Sequence, residues 1–220
     1  MSRALRLGVL VSGEGTTMEY LADLIDGGRL PAQIVLVIAD RPHAHAIEKA
    51  RRRGLANAVL PLKGVPEALW AAQMDRELHE KRVELVVLAG FLSVIPAAWL
   101  SGWVGRVINL HPALLPKFGG PGMYGHRVHE AVIAAGERES GASVHLVTPE
   151  VDEGPVLLQA RVPVLPGDTP KSLEDRIRPV ERELLAQVIR RFADGAWPIP
   201  YVPPAAAGRR DGDEERARRG

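Results

Sequence analysis

Leu5-Arg-Leu-Gly-Val-Leu-Val11, followed at once by Ser12-Gly13-Glu14-Gly15-Thr16-Thr17-Met18, is the stretch whose reading decides the fold. The first seven residues form a nearly unbroken apolar run, the pattern of a strand buried on both faces. Glycines interrupt it, and helical spacing begins at Thr16 and runs to Asp26. Strand, glycine-rich turn and helix in that order are the first half of a βαβ unit. Glycines let backbone approach an anion, the helix start offers free N–H groups, and Thr16 and Thr17 add hydroxyl donors. A dinucleotide fingerprint would carry a third glycine where Met18 stands, while Asp40 occupies the place of a ribose-binding acid. A nicotinamide-dependent protein is therefore a rival reading. The missing glycine favours a site for a single phosphate, and a tight turn without a ligand is the plain alternative.

The same alternation continues outward from this unit. Residues 34–39, 85–89 and, more weakly, 58–60 read as strands, as do 106–110, 142–147 and 156–164. Helical patterns fall at 45–53, 67–81, 126–135 and 172–192. Alternating strands and helices imply right-handed βαβ units. The fold class expected is α/β, a doubly wound, mainly parallel sheet with helices on both faces and a Rossmann-like N-terminal half. Residues 1–202 read as a single domain. Residues 203–220 are Pro, Ala, Gly and mixed charge, and read as a disordered tail.

Composition narrows the function. With 220 residues, 46% of them hydrophobic, the chain can bury one sizeable core. A net charge of +1 advertises neither a nucleic-acid nor a membrane surface, so small-molecule partners are expected. The absence of cysteine excludes disulfides, thiol catalysis and cysteine-ligated metals. The first residues lack a signal-peptide pattern, and no apolar run approaches the ~18 residues of a membrane span. A cytoplasmic location is the expectation.

Asn109-Leu-His111-Pro112 and, further on, Asp152 carry the chemistry. An amide can hold a developing oxyanion. An imidazole can move a proton near neutral pH, and a carboxylate can orient it and favour its charged form. Strand alternation puts Asn109 and His111 on one side of a strand end, and Pro112 and Pro116 stiffen the exit. Asp152 sits in a loop that Gly154 and Pro155 redirect, beyond the carboxyl end of a further strand. Singly, each residue has a plainer use: a strand-end cap, a core histidine, an Asx turn. Their co-occurrence at the loop ends of one sheet is the argument for a site.

At these residues the chain resembles the folate-dependent phosphoribosylglycinamide formyltransferase family. The resemblance runs through Val9-Leu-Val-Ser-Gly-Glu-Gly-Thr, Leu85-Val-Val-Leu-Ala-Gly-Phe, Ile108-Asn-Leu-His-Pro-Ala-Leu-Leu-Pro, Gly141-Ala-Ser-Val-His, Val151-Asp-Glu-Gly-Pro-Val and Phe192-Ala-Asp-Gly, in family order. It implies formyl transfer from 10-formyltetrahydrofolate, a co-substrate, to the amine of glycinamide ribonucleotide, with no metal. It implies Asn109, His111 and Asp152 as the catalytic trio. Gly15, Thr16, Thr17, Gly90 and Glu181 would contact the acceptor. Leu92, Ser93, Val94, Ile95, Leu100 and Val107, with Asn109 and the loop of Thr148, Pro149, Glu150, Val151 and Asp152, would hold the folate. The family often has Asn where Glu14 and Thr17 stand, Arg at Ser93 and Gln at Arg178. Its basic residue after the third strand has only Lys63 as a nearby counterpart.

Residues 117–125 carry four glycines and read either as a flap or as a plain surface loop. His126, Arg127 and His129 read as solvated helix residues, and Arg51-Arg52-Arg53 as a solvent-facing run. Other acceptors for the same chemistry, namely tRNA, an amino sugar or water, stay open, as does a homodimer. The tRNA enzyme would add a C-terminal domain, and the hydrolase an N-terminal one.

Overall fold

The computed structural model describes residues 4–203. Seven strands form one sheet: β1 (Leu5–Val11), β2 (Ala32–Ala39), β3 (Asn57–Val59), β4 (Leu85–Leu88), β5 (Val107–His111), β6 (Glu139–Leu146) and β7 (Val156–Pro163). Their spatial order is β3-β2-β1-β4-β5-β6-β7. β1 to β5 are mutually parallel, whereas β6 runs antiparallel to β5 and β7 antiparallel to β6. The helices are α1 (Thr16–Asp26), α2 (His45–Arg52), α3 (Glu67–Glu80), α4 (Ala97–Leu100), α5 (His126–Ala134) and α6 (Pro170–Ala193). A 3-10 turn, Ser101–Trp103, follows α4.

Alternation along the strands divides the core into two layers. Val9 and Val11 of β1, with Leu85 and Val87 of β4, pack against α1, α2 and α6. Leu10, Val86 and Leu88 face the other way, onto Trp70, Met74 and Leu78 of α3 and onto Trp99 and Trp103. The strand order reverses between β1 and β4, which opens a crevice beyond their carboxyl ends. Two hydrogen bonds from backbone N–H groups tie the turn to the segment after β4: Ser12 N–H reaches the Gly90 carbonyl at 3.1 Å, and Leu92 N–H reaches the Ser12 side-chain Oγ at 2.7 Å.

The structure departs from the sequence reading in specific places. β6 begins at Glu139 rather than 142, because Gly141, which breaks the apolar run, is accommodated inside the strand, where a Cβ would lie 1.9 Å from the Ala160 carbonyl oxygen. α6 begins at Pro170, not 172. Thr169 and Ser172 form a capping box and Pro170 takes the first helical position. α4 and its 3-10 turn were not foreseen, being too short to show periodicity. Asp152 does not lie beyond the carboxyl end of a parallel strand, since β6 is antiparallel to β5. Apart from Pro203, the expected tail lies outside the described residues. Among the described residues no helix is long and apolar enough to cross a membrane.

Candidate active site

The crevice opens into a cavity of about 600 Å³. Its first wall is the glycine-rich turn. Gly15 has φ 68°, and a Cβ there would sit 2.5 Å from the Ala46 Cβ, so both backbone shape and the closeness of α2 demand glycine. Ala46 N–H bonds to the Gly13 carbonyl at 3.1 Å, fixing the turn against α2. Thr16 and Thr17 open α1 and line the cavity with Gly13, Glu14 and Gly15. Met18 is fully buried in the core, filling the space where a third glycine would have let the helix close on the sheet. Asp40 does not line the cavity. It is buried, and its Oδ2 accepts from Ser93 Oγ at 2.5 Å.

The second wall is β5 and what folds over it. Asn109 and His111 project on one face of the sheet, and in the antiparallel register Asn109 lies opposite His145 and His111 opposite Ser143. The β6–β7 loop doubles back across this face. It delivers Asp152, at φ 60°, with Oδ2 3.5 Å from His111 Nδ1 and Oδ1 3.4 Å from Asn109 Nδ2. Gly120 N–H donates to Asp152 Oδ2 at 3.0 Å. Ser143 Oγ braces the exit from β5: it donates to the Ala113 carbonyl at 2.6 Å and accepts from Leu115 N–H at 3.0 Å and from Gln159 Nε2 at 2.8 Å.

Hydrogen bonds assign the ring protons. His111 Nε2 lies 2.8 Å from the Phe118 carbonyl oxygen and must therefore donate, leaving Nδ1 towards Asp152. His145 Nδ1 donates to the Leu146 carbonyl at 2.8 Å, so in the neutral ring Nε2 accepts from Asn109 Nδ2 at 3.0 Å. That contact turns the Asn109 amino group towards His145 and Asp152. His145 was not among the residues singled out from sequence. Its signal was the register that alternation gives to Ser143-Val-His145 beside Asn109-Leu-His111.

Burial pushes the His111 imidazole below its ordinary value, and outweighs the upward pull of Asp152 and of the Phe118 carbonyl. The expectation that Asp152 favours the charged ring is thus right in direction but loses to desolvation. For Asp152 burial acts upward, but His145, the His111 charge and the Gly120 N–H together hold the carboxyl below the usual range. Burial pushes the half-buried Glu181 up to about 7, against the pull of Arg182 and Arg178 and with Glu174 adding to it.

Of the remaining residues singled out, Gly90, Leu92, Ser93, Val94, Ile95, Leu100, Thr148, Pro149, Val151 and Glu181 all line the cavity. Val107 and Glu150 do not. Val107 is buried beneath the wall in the core layer of α3, its carbonyl bonded to Val147 N–H at 2.9 Å, and Glu150 points to solvent from the turn that carries Asp152. His129 is a correction: it is 2% exposed and lines the cavity rather than facing solvent, because Val128 and Val132 turn that side of α5 inward. Glu174 and Arg178 of α6, and the glycine-rich segment from Gly120 to Gly125, complete the lining.

Residues 5–189 match the formyl transferase family model. Phosphoribosylglycinamide formyltransferase of Escherichia coli strain K12 is 37% identical over 192 residues, covering 85% of this chain and 86% of that protein. The solved structure of glycinamide ribonucleotide transformylase 1 from Symbiobacterium toebii superposes with a TM-score of 0.81 at 36% identity, covering 89% of this chain and 90% of that one. The trifunctional purine biosynthetic protein adenosine-3 of Drosophila melanogaster is 36% identical, but the chain spans only 14% of its length. The chain belongs to the formyl transferase family. The relatives from Haemophilus influenzae and Escherichia coli, of which the chain covers 88% and 86%, are phosphoribosylglycinamide formyltransferases.

Proposed function

We propose that this chain transfers the formyl group of 10-formyltetrahydrofolate to the primary amine of glycinamide ribonucleotide, a step of purine biosynthesis. The observation that carries the reading is the meeting of Asn109, His111 and Asp152 in one cavity that the glycine-rich turn also lines. Those groups suit acyl transfer without a covalent intermediate. The acceptor's phosphate sits on the N–H groups and hydroxyls of Gly15, Thr16 and Thr17. Gly90 and Glu181 meet the acceptor between phosphate and amine. Leu92, Ser93, Val94, Ile95 and Leu100 wall the folate, with the pterin against residues 148–152.

The amine nitrogen attacks the formyl carbon, forming the C–N bond, and the carbonyl electrons move to oxygen. Asn109 Nδ2 and His111 donate to that oxyanion. Asn109 is free to do so once its Nδ2 leaves His145 or Asp152, and His111 once its Nε2 proton leaves the Phe118 carbonyl, so substrate entry must exchange these hydrogen bonds for those to the oxyanion. Asp152 stabilises the imidazolium and accepts, through His111 or a water, the proton the amine loses. Collapse breaks the bond to the folate nitrogen, which takes up the proton that the amine gave to Asp152. Burial that keeps resting His111 neutral leaves it ready to take a proton before giving one.

Parallel thermal-shift titrations test the site. A folate analogue and a ribose phosphate should each raise the melting temperature, and nicotinamide dinucleotides should not. Stabilisation by the dinucleotide alone would overturn the proposal.

A further inference from the structure

Behind the folate half of the cavity lies a carboxylate that the proposed chemistry does not use. Asp75, on α3, accepts two hydrogen bonds on its Oδ1, from the indole N–H of Trp99 at 2.8 Å and from that of Trp103 at 2.9 Å. Trp99 belongs to α4 and Trp103 to the 3-10 turn that follows. The two buried rings stack, with centroids 5.6 Å apart and planes 19° from parallel. Trp70, also on α3, meets Trp99 edge-on at 5.8 Å.

A four-residue helix and a single 3-10 turn have no stability of their own, so their position is set by tertiary contacts. A buried indole N–H needs an acceptor, and one carboxylate oxygen has lone pairs for two. Asp75 therefore satisfies both indoles at once and ties them to α3. The segment so tied also supplies Ile95 and Leu100 to the cavity wall, and both belong to the same buried cluster as the three tryptophans.

We infer that Asp75 is a positioning residue for the folate co-substrate: by holding two indoles on one oxygen it presets the apolar wall of Ile95 and Leu100. The inference rests on the formyl-transfer reading of the cavity. Without the clamp, two buried N–H groups lose their acceptor together, and the segment must shift to reach water. The wall then has to be ordered when folate binds, which weakens binding on that side and leaves the acceptor side alone.

The test is steady-state kinetics on wild-type protein, Asp75→Leu, Asp75→Asn and Trp103→Phe, with both substrates varied. Asp75→Leu should raise KM for 10-formyltetrahydrofolate about tenfold and change KM for glycinamide ribonucleotide by less than about twofold. Asp75→Asn keeps an oxygen able to accept both N–H groups, and should stay within about twofold of wild type for both substrates. An unchanged folate KM in Asp75→Leu, or an equal rise for both substrates, overturns the inference. Should Asp75→Leu fail to fold, Trp103→Phe keeps an aromatic ring, smaller than the indole, and removes one N–H. A folate KM raised about threefold is then expected, and an unchanged one overturns the inference. Wild-type protein that neither binds a folate analogue nor transfers a formyl group sinks the functional reading instead, and the inference with it.

Discussion

Asp152 Oδ2 lies 3.5 Å from His111 Nδ1, although His111 ends β5 and Asp152 follows β6, which runs in the opposite direction. The β6–β7 loop must turn back over the sheet to make this contact, and the left-handed backbone at Asp152, φ 60°, is part of how it does so. Replacing Asp152 by Asn keeps the shape and removes the charge. Turnover should fall about 10²–10⁴-fold while a folate analogue still binds, as expected for loss of a proton-transfer partner. Near-normal kcat in Asp152→Asn would remove the residue from the mechanism.

Thr16 and Thr17 start α1 and line the same cavity as Leu100. Changing both to valine removes two hydroxyl donors and leaves the helix N–H groups. KM for the acceptor should rise more than KM for the folate. Equal effects on the two constants would argue against a phosphate at this turn.

Gly15 tests whether the turn is built for close approach. Alanine there meets both a left-handed φ and an overlap with Ala46. Gly15→Ala should lose about 1–3 kcal/mol of stability in urea unfolding, the range of a strained backbone position. It should also weaken acceptor binding, since the turn can relieve the overlap only by moving from α2. Wild-type stability in this variant would mean that the turn is not pinned.

Glu181 gives a pH signature. Its carboxyl, pushed up to about 7, holds its proton more tightly in the folded protein than in the unfolded chain, where the ordinary value is 4.5. Its favourable contribution is therefore complete below the unfolded value and is lost as pH rises through about 7. Glu181→Gln should melt higher than wild type at pH 8, and that advantage should shrink towards pH 5. An advantage independent of pH would show that burial of the charge is not the cause.

Much of this was legible in the chain. Leu5–Val11 and Thr16–Asp26 have the same bounds in the structure as in the sequence reading, because glycines and helical spacing mark them sharply. Asn109 and His111 share a face because a strand's period is two. What could not be read was whatever depends on tertiary direction. The antiparallel turn of β6 sets His145 beside Asn109, yet no residue in β6 announces its direction. Burial of His129 depends on how α5 packs, and a histidine between Val128 and Glu130 does not announce which side of the helix it takes. The clamp on Asp75 joins residues from three elements and leaves no local pattern.

The central claim, that one cavity brings a formyl donor to an acceptor amine, is tested most directly by following formyl transfer from 10-formyltetrahydrofolate. Glycinamide ribonucleotide should be formylated one for one with tetrahydrofolate released, while tRNA and water give background rates. Release of tetrahydrofolate at the same rate without glycinamide ribonucleotide, or none with it present, would contradict the account.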